Sequence, residues 1–370
     1  MKNIIQVIDT SLRGGAELHM LQLCKTLERA GNRIVVICPD GDMLPLFKSI
    51  CGENISLHVI DPRDGLLKYL FFIRKICKTN NTEIIHSHQH LSGLLCKLST
   101  LFTKIKHVLT VHTVFTNIKT RPLIKLRTWL IFASAYLLVD RVYVLSNHVK
   151  TQLQRIFYLP DNKTKIVFNC IEPNNLLQNK TVIDALKSKY NPSNEYKIIL
   201  CAGLFDEGKG HAILIRAFKK LQHYGNCYLI LLGDGEKRSE YQTLSKKLGL
   251  TNIFFMPGYV DNIADWFGIA DCYIQPSLRD NMPTTILEAM FLHVPVIASD
   301  LGSFKEIIDN DINGLLFKAG DSEQLAKLLE RCLYEQNSCT NFANGAYEKV
   351  TKRFTFDTLQ STLLQDWESL

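Results

Sequence analysis

Residues 270 to 316 read ADCYIQPSLRDNMPTTILEAMFLHVPVIASDLGSFKEIIDNDINGLL, and no other stretch says as much about the architecture. An apolar run ending at Gln275 gives way to a polar loop, then a helical pattern opening at Thr284, then a second Val- and Ile-rich run and a turn. Short β-branched runs separated by helix-length amphipathic segments are the pattern of parallel strands joined by crossover helices. Two carboxylates, Asp280 and Glu288, flank the passage from loop to helix.

The same rhythm extends in both directions. Runs at 198–201, 227–232, 253–256, 272–275 and 295–298 predict one doubly wound domain over 197–338. Runs at 4–8, 33–38, 56–60, 84–86, 108–111, 141–145 and 166–168 predict another over 1–172. Between them the Asn- and Lys-rich stretch with Pro173 and Pro192 breaks the pattern, so 173–196 is expected as a linker. The last segment, 339–370, reads as helix without a placement. The expected fold is α/β, two Rossmann-like domains facing a central cleft, with ligands at the carboxyl ends of the strands.

Composition narrows the function. A chain of 370 residues, 46% hydrophobic and 21% charged, supports two packed domains and is not disordered. The longest apolar stretch, 129–139, is far short of the roughly 20 residues a spanning helix needs. The opening MKNIIQVIDT reads as a first strand, not a signal peptide, which predicts a cytosolic chain. Eleven scattered cysteines without a CxxC pair suit apolar packing in a reducing compartment better than disulfides or zinc. His86, His88 and His90 alternate along one extended segment without a carboxylate cluster, so no metal is expected there. The segment 11–17, SLRGGAE, has a glycine pair in place of G-x-G-x-x-G, which argues against a nicotinamide cofactor.

Charge is divided unevenly: residues 1–180 hold 24 Lys and Arg against 12 Asp and Glu, the remainder 19 against 24. No acidic residue lies between Glu83 and Asp140, where Lys97, Lys104, Lys106, Lys119, Arg121, Lys125 and Arg127 are found. Such a surface attracts polyanions. The run 117–139, cations followed by a Trp-bearing apolar segment, has the composition of an interfacial anchor, so peripheral contact with an anionic membrane is expected through 97–139. A nucleic-acid partner is not expected, because no recognition motif or stacking-aromatic pattern accompanies the charge.

The 270–316 segment closely resembles the signature of retaining GT-B glycosyltransferases of the group 1 / family 4 type, which includes capsule, O-antigen and lipopolysaccharide sugar transferases. GLFDEGKG at 203–210, LILLGDGEKR at 229–238, MPGYVDN at 256–262, FNCIE at 168–172 and the Gly-Gly-Ala-Glu loop extend the resemblance over nearly the whole chain. It implies transfer of a sugar from a UDP- or GDP-linked donor, with retention of configuration, to a lipid-linked or oligosaccharide acceptor. The enzyme would work on the cytoplasmic face of the inner membrane. By the same resemblance Glu288 holds the ribose hydroxyls and Asp280 the donor sugar. His112 contacts that sugar, and Lys209 meets the diphosphate together with the helix start at Thr284 and Thr285. Met282 and Pro283 line the donor loop in place of the usual Gly-x-Gly. Gly14 and Gly15 let the backbone approach the leaving diphosphate or the acceptor, or form a tight turn. Catalytic roles are expected for His112, Asp280 and Lys209. No cofactor or essential metal is implied, the nucleotide-sugar being a co-substrate. Leu204 stands where the family carries an arginine, and Cys170 where its interdomain turn carries a glycine. The alternative is therefore a GT-B subunit impaired in catalysis that binds nucleotide or glycan and partners another transferase. An epimerase of the same architecture would need acid and base groups facing the sugar ring.

Overall fold

The computed structural model describes residues 1–12, 14–112, 132–133, 135–221, 226–335 and 338–370. The chain divides into two units, Met1–Asn169 with Phe356–Leu370, and Cys170–Thr355. Each is built on one parallel sheet.

The first sheet contains β1 (Asn3–Ile8), β2 (Arg33–Cys38), β3 (Ile55–Val59), β4 (Ile84–His88), β5 (Lys106–Val111), β6 (Arg141–Val144) and β7 (Thr164–Ile166), in the order β3-β2-β1-β4-β5-β6-β7. The central strands are buried on both faces, which is why they read as continuous apolar runs: Ile4, Ile5, Val7 and Ile8 of β1 are all at most 1% exposed. Inside β1, past the leading Asn3, the one polar residue is Gln6, and it is also fully buried. Helices Gly15–Arg29, Leu66–Thr79 and His90–Ser99 make the crossovers around this sheet.

The second sheet contains β8 (Lys197–Ala202), β9 (Cys227–Leu232), β10 (Phe254–Gly258), β11 (Cys272–Gln275), β12 (Val296–Ser299) and β13 (Leu315–Phe317), ordered β10-β9-β8-β11-β12-β13. The three-residue β13 was expected as part of a turn, because the adjacent Asn313-Gly314 is a strong turn signal and masks so short a strand. Both sheets reverse strand order after their first strand, between β1 and β4 and between β8 and β11. That reversal opens a crevice at the carboxyl ends of the strands, where open α/β sheets bind ligands.

Two boundaries differ from expectation. The stretch 173–196 belongs to the second unit and contains a helix, Lys180–Tyr190. One Asn of that stretch caps the helix: the Asn179 side chain accepts from the backbone of Thr181 and Val182, while the Asn179 N–H donates to Asp265 at 2.6 Å. The C-terminal segment is divided between the units: helix Ser338–Arg353 lies in the second and helix Phe356–Glu368 in the first. There the Arg29 guanidinium sits 4.9 Å from the Phe356 ring centroid, and buried Asp366 accepts from Tyr143 at 2.8 Å and pairs with Arg141 at 3.0 Å. Cys170 is buried and is not among the residues with positive φ, so replacing glycine there carries no left-handed strain.

Candidate functional site

In the second unit the loops after β8 and β11 are laced together at the point of strand reversal. Asp206 caps a turn at Glu207–Lys209 by accepting from the Lys209 N–H at 2.9 Å. Gly210 follows at φ +69, where an added Cβ would lie 2.0 Å from the carbonyl oxygen of Pro276, so only glycine lets the two loops approach. Leu278 N–H then donates to the Gly208 carbonyl at 2.8 Å. The outcome is an ion pair across the crevice, Lys209 Nζ to Asp280 Oδ2 at 2.6 Å. Burial opposes the charge of Lys209, but the Asp280 carboxylate outweighs it and raises the lysine pKa.

Asp280 is held from several sides. Ser277 Oγ donates to its Oδ2 at 3.1 Å, the Asn281 N–H to its Oδ1 at 3.0 Å, and Ser303 Oγ to its backbone carbonyl at 3.0 Å. Met282 is buried, and Pro283, at φ −67 and ψ 127, leads into helix Thr284–Phe291 without a side-chain cap. Thr285 Oγ1 accepts from the Tyr273 hydroxyl at 2.8 Å, fixing the start of that helix to β11. One turn on, Glu288 is half-buried; burial pushes its carboxyl up to about 7, against the lowering effect of a hydrogen bond with Thr284. Leu204 is 46% exposed on the loop after β8, an apolar group where the family resemblance led to an expected cation.

The first unit builds a different site at its own reversal. Gly14 is extended and precedes helix Gly15–Arg29, whose first turn carries Glu17. Glu17 Oε1 accepts from Thr10 at 2.6 Å and is itself buried, with its pKa raised by that burial. This ties the helix start to the loop after β1, the structural role that a first-turn carboxylate suggests. His112 follows β5 and is 8% exposed. Its Nε2 lies 3.1 Å from His88 Nδ1 on β4, and the ring of His19 packs edge-on at 5.1 Å. His90 instead bonds the Tyr136 hydroxyl at 2.5 Å. Among the described residues no group of three or more His, Cys, Asp or Glu is arranged to hold a metal ion.

Comparison with known proteins bears on both units. The model for "Glycosyl transferases group 1" matches residues 182–349 and that for "Glycosyltransferase Family 4" matches 13–175. The chain belongs to this glycosyltransferase family. The glycosyltransferase is 24% identical to the uncharacterized glycosyltransferase MJ1607 of Methanocaldococcus jannaschii, over 94% of this chain and 92% of that protein. It is 29% identical to the O-antigen biosynthesis glycosyltransferase WclY of Escherichia coli, over 61% of this chain and 64% of that one. The crystal structure of Anabaena Alr3699/HepE in complex with UDP-glucose superposes with a TM-score of 0.87 at 21% identity, covering all of both chains. The glycosyltransferase thus has the GT-B fold.

The structure brings Lys209 to Asp280 and sets both beside the loop carrying Met282 and Pro283 and the helix carrying Thr284, Thr285 and Glu288. Gly14, Gly15 and His112 lie in the other unit. Sequence reasoning passed over Ser277, Asp206 and Gln6. Gln6 had a signal: a lone amide inside a strand buried on both faces must find polar partners. Residues 113–131, with Lys119, Arg121, Lys125, Arg127 and Trp129 of the expected membrane segment, lie outside the described residues.

Proposed function

We propose that this glycosyltransferase moves a hexose from a UDP- or GDP-linked donor, with retention of anomeric configuration, to a growing lipid-linked cell-surface glycan. The observation that carries the proposal is the Lys209–Asp280 pair at the strand reversal, beside an uncapped helix start. A diphosphate concentrates negative charge, and a lysine with backbone N–H groups at a helix N-terminus is suited to receive it. In this reading Lys209 shares its charge between Asp280 and the leaving diphosphate, supplying what a divalent cation supplies in other transferases. Thr284, Thr285 and the backbone after Met282 and Pro283 cradle the phosphates, and Glu288 accepts from the ribose hydroxyls. Asp280 and His112 hold the sugar as charge develops at its reacting carbon. The bond from that carbon to the diphosphate breaks while the acceptor oxygen approaches on the same face, and the departing phosphate oxygen takes the acceptor proton. Preorganised charge and position are what the protein contributes, without an enzymic nucleophile. The Anabaena complex with UDP-glucose and the O-antigen assignment of WclY support this donor and acceptor class.

Membrane contact, on the cytoplasmic leaflet, is part of the same proposal. No helix among the described residues is long and apolar enough to cross a bilayer. Helix Leu66–Thr79 nonetheless presents Leu67 and Phe71, each 70% exposed, with exposed Lys68, Arg74, Lys75 and Lys78 around them. An apolar strip rimmed by cations suits an anionic headgroup layer, and it adds to Lys97, Lys104 and Lys106.

The test is calorimetric titration of UDP-, GDP-, ADP- and CMP-sugars into wild type, Lys209→Ala and Glu288→Ala, followed by a transfer or hydrolysis assay. Selective binding that both variants lose supports the donor site and identifies its base. The exposed Leu204 favours a second reading, a non-catalytic partner subunit, and absence of binding by wild type at millimolar donor would establish that one instead.

A further inference from the structure

His112 belongs to a chain of buried hydrogen bonds. Gln6 at the centre of β1 bridges two imidazoles of β4: its Oε1 lies 2.9 Å from His88 Nε2 and its Nε2 3.3 Å from His86 Nδ1. His86 Nε2 continues to Thr110 Oγ1 at 2.7 Å, and His88 Nδ1 to His112 Nε2 at 3.1 Å. Gln6, His86, His88 and Thr110 are all 0% exposed. The rings are also clamped by one another. His86 stacks on His88 at 4.6 Å, and His19 packs edge-on against both His88 and His112. His19 is anchored in turn by Asn169 Oδ1 at 2.6 Å.

This chain has a direction. An amide oxygen only accepts, so His88 must carry its proton on Nε2. Burial first, and the neighbouring imidazoles second, push His88 and His112 well below the usual histidine range, so each ring is neutral and holds one proton. His88 Nδ1 is then a lone pair, and the bond to His112 requires the proton on His112 Nε2. At the other end the amide nitrogen donates to His86 Nδ1, which leaves His86 Nε2–H to donate to Thr110, so every link is satisfied in the same sense.

We propose that Gln6 and His88 are positioning residues that fix His112 in one ring orientation and in the Nε2–H tautomer during sugar transfer. The consequence is chemical: with its one proton held on Nε2, His112 can act at Nδ1 only as a hydrogen-bond acceptor. The functional half of this inference rests on the placement of His112 at the donor sugar proposed above; the tautomer itself does not.

The experiment is nitrogen NMR on the full chain labelled with 15N-histidine, with His112 assigned by the signal lost in His112→Gln. Wild type should show a protonated-type Nε2 and a pyridine-type Nδ1 at His112. A protonated Nδ1 there overturns the proposal, because it means that the Gln6 amide points the other way and the chain runs in reverse. In His88→Leu the tautomer should become mixed, and turnover of UDP-glucose, UDP-galactose, UDP-N-acetylglucosamine or GDP-mannose, whichever wild type uses, should fall on the order of 10- to 100-fold, the range for partners that orient a histidine from behind. His88→Asn, whose side-chain oxygen can replace the Nδ1 acceptor, should restore both readings. Gln6→Leu provides the same comparison if His88→Leu does not fold. A mixed tautomer with unchanged kcat overturns the positioning role. If wild type turns over none of these nucleotide-sugars, the proposed donor reading fails, while the nitrogen shifts still decide the tautomer.

Discussion

The two units share one topology and use its crevice in opposite ways. Both sheets reverse order after their first strand, yet the first places buried neutral imidazoles there and the second a lysine–aspartate pair. The choice runs against bulk charge. The cation-rich first half gathers neutral imidazoles at its reversal, and the acidic second half brings a cation to its own. Surface charge and site charge are separate properties: the first concerns what the unit approaches, the second what it holds.

Removing the cation breaks that contrast most directly. Lys209→Ala leaves Asp280 facing the crevice without its partner and removes a charge-assisted contact worth about 1.5 to 3 kcal/mol to a bound diphosphate. The expected loss in donor kcat/KM is roughly 10- to 100-fold, measured in the transfer or hydrolysis assay. An unchanged kcat/KM would mean that the pair is structural and that the crevice of the second unit is not the donor site. On the surface side, Phe71→Glu should weaken sedimentation with phosphatidylglycerol-containing vesicles roughly tenfold, since a half-inserted phenyl group contributes on the order of 1.5 kcal/mol. Equal binding by wild type and variant would remove helix Leu66–Thr79 from the membrane proposal.

Much of this architecture was legible before any coordinates. The strands of both sheets are short Ile- and Val-rich runs because parallel strands are covered on both faces, and that burial writes itself into sequence. What escaped was local. The Asn-rich stretch 173–196 read as a linker although Asn179 caps a helix within it, since caps and breakers use the same residue types. The last helix joined the first unit through Asp366 with Arg141 and Tyr143, contacts more than 220 residues apart in the chain that no local pattern announces. At the sites, Lys209 and Asp280 were singled out from their motifs, but their 2.6 Å contact depends on Gly210 admitting the Pro276 carbonyl, a constraint visible only in three dimensions. His88 was weighed as a metal ligand, whereas its role emerges from Gln6, one polar residue in an apolar strand.

Glu288 sharpens the contrast through pH. Its carboxyl titrates near 7 in the fold, against 4.5 for an unburied glutamate, so the folded state holds the proton where the unfolded chain releases it. The contribution of Glu288 to stability therefore falls as pH rises from about 4.5 through 7, and above that window its cost levels off at about 3 kcal/mol at most. Glu288→Gln should raise the midpoint of thermal unfolding at pH 8 and leave it unchanged at pH 4. If the ionised form is the one that accepts from ribose hydroxyls, UDP-glucose affinity should rise roughly tenfold from pH 6 to 8 in wild type and stay level in Glu288→Gln. The buried imidazoles of the first unit pull the other way: they stay neutral in the fold while those of the unfolded chain protonate below 6.5, so their contribution to stability grows as pH rises toward that value, and the difference between wild type and Glu288→Gln isolates the carboxyl.

The smallest expected effect separates two readings of the glycine pair. An added Cβ on Gly14 would lie 2.8 Å from Glu17 Oε2, so Gly14→Ala disturbs the Glu17–Thr10 bond and confounds ligand approach with loop structure. Gly15 is different, since an added Cβ meets nothing within 4 Å and its backbone is already helical. Gly15→Ala should leave the fold intact and raise its stability by a few tenths of a kcal/mol, through the lower helical cost of alanine. Any loss of turnover then reports a ligand that needs the space. A severalfold fall in kcat/KM, with the unfolding midpoint level or raised, would place the leaving diphosphate or the acceptor against this backbone. Unchanged kinetics would make the glycine pair a tight strand-to-helix turn and leave the histidine chain as the first unit's contribution to the reaction.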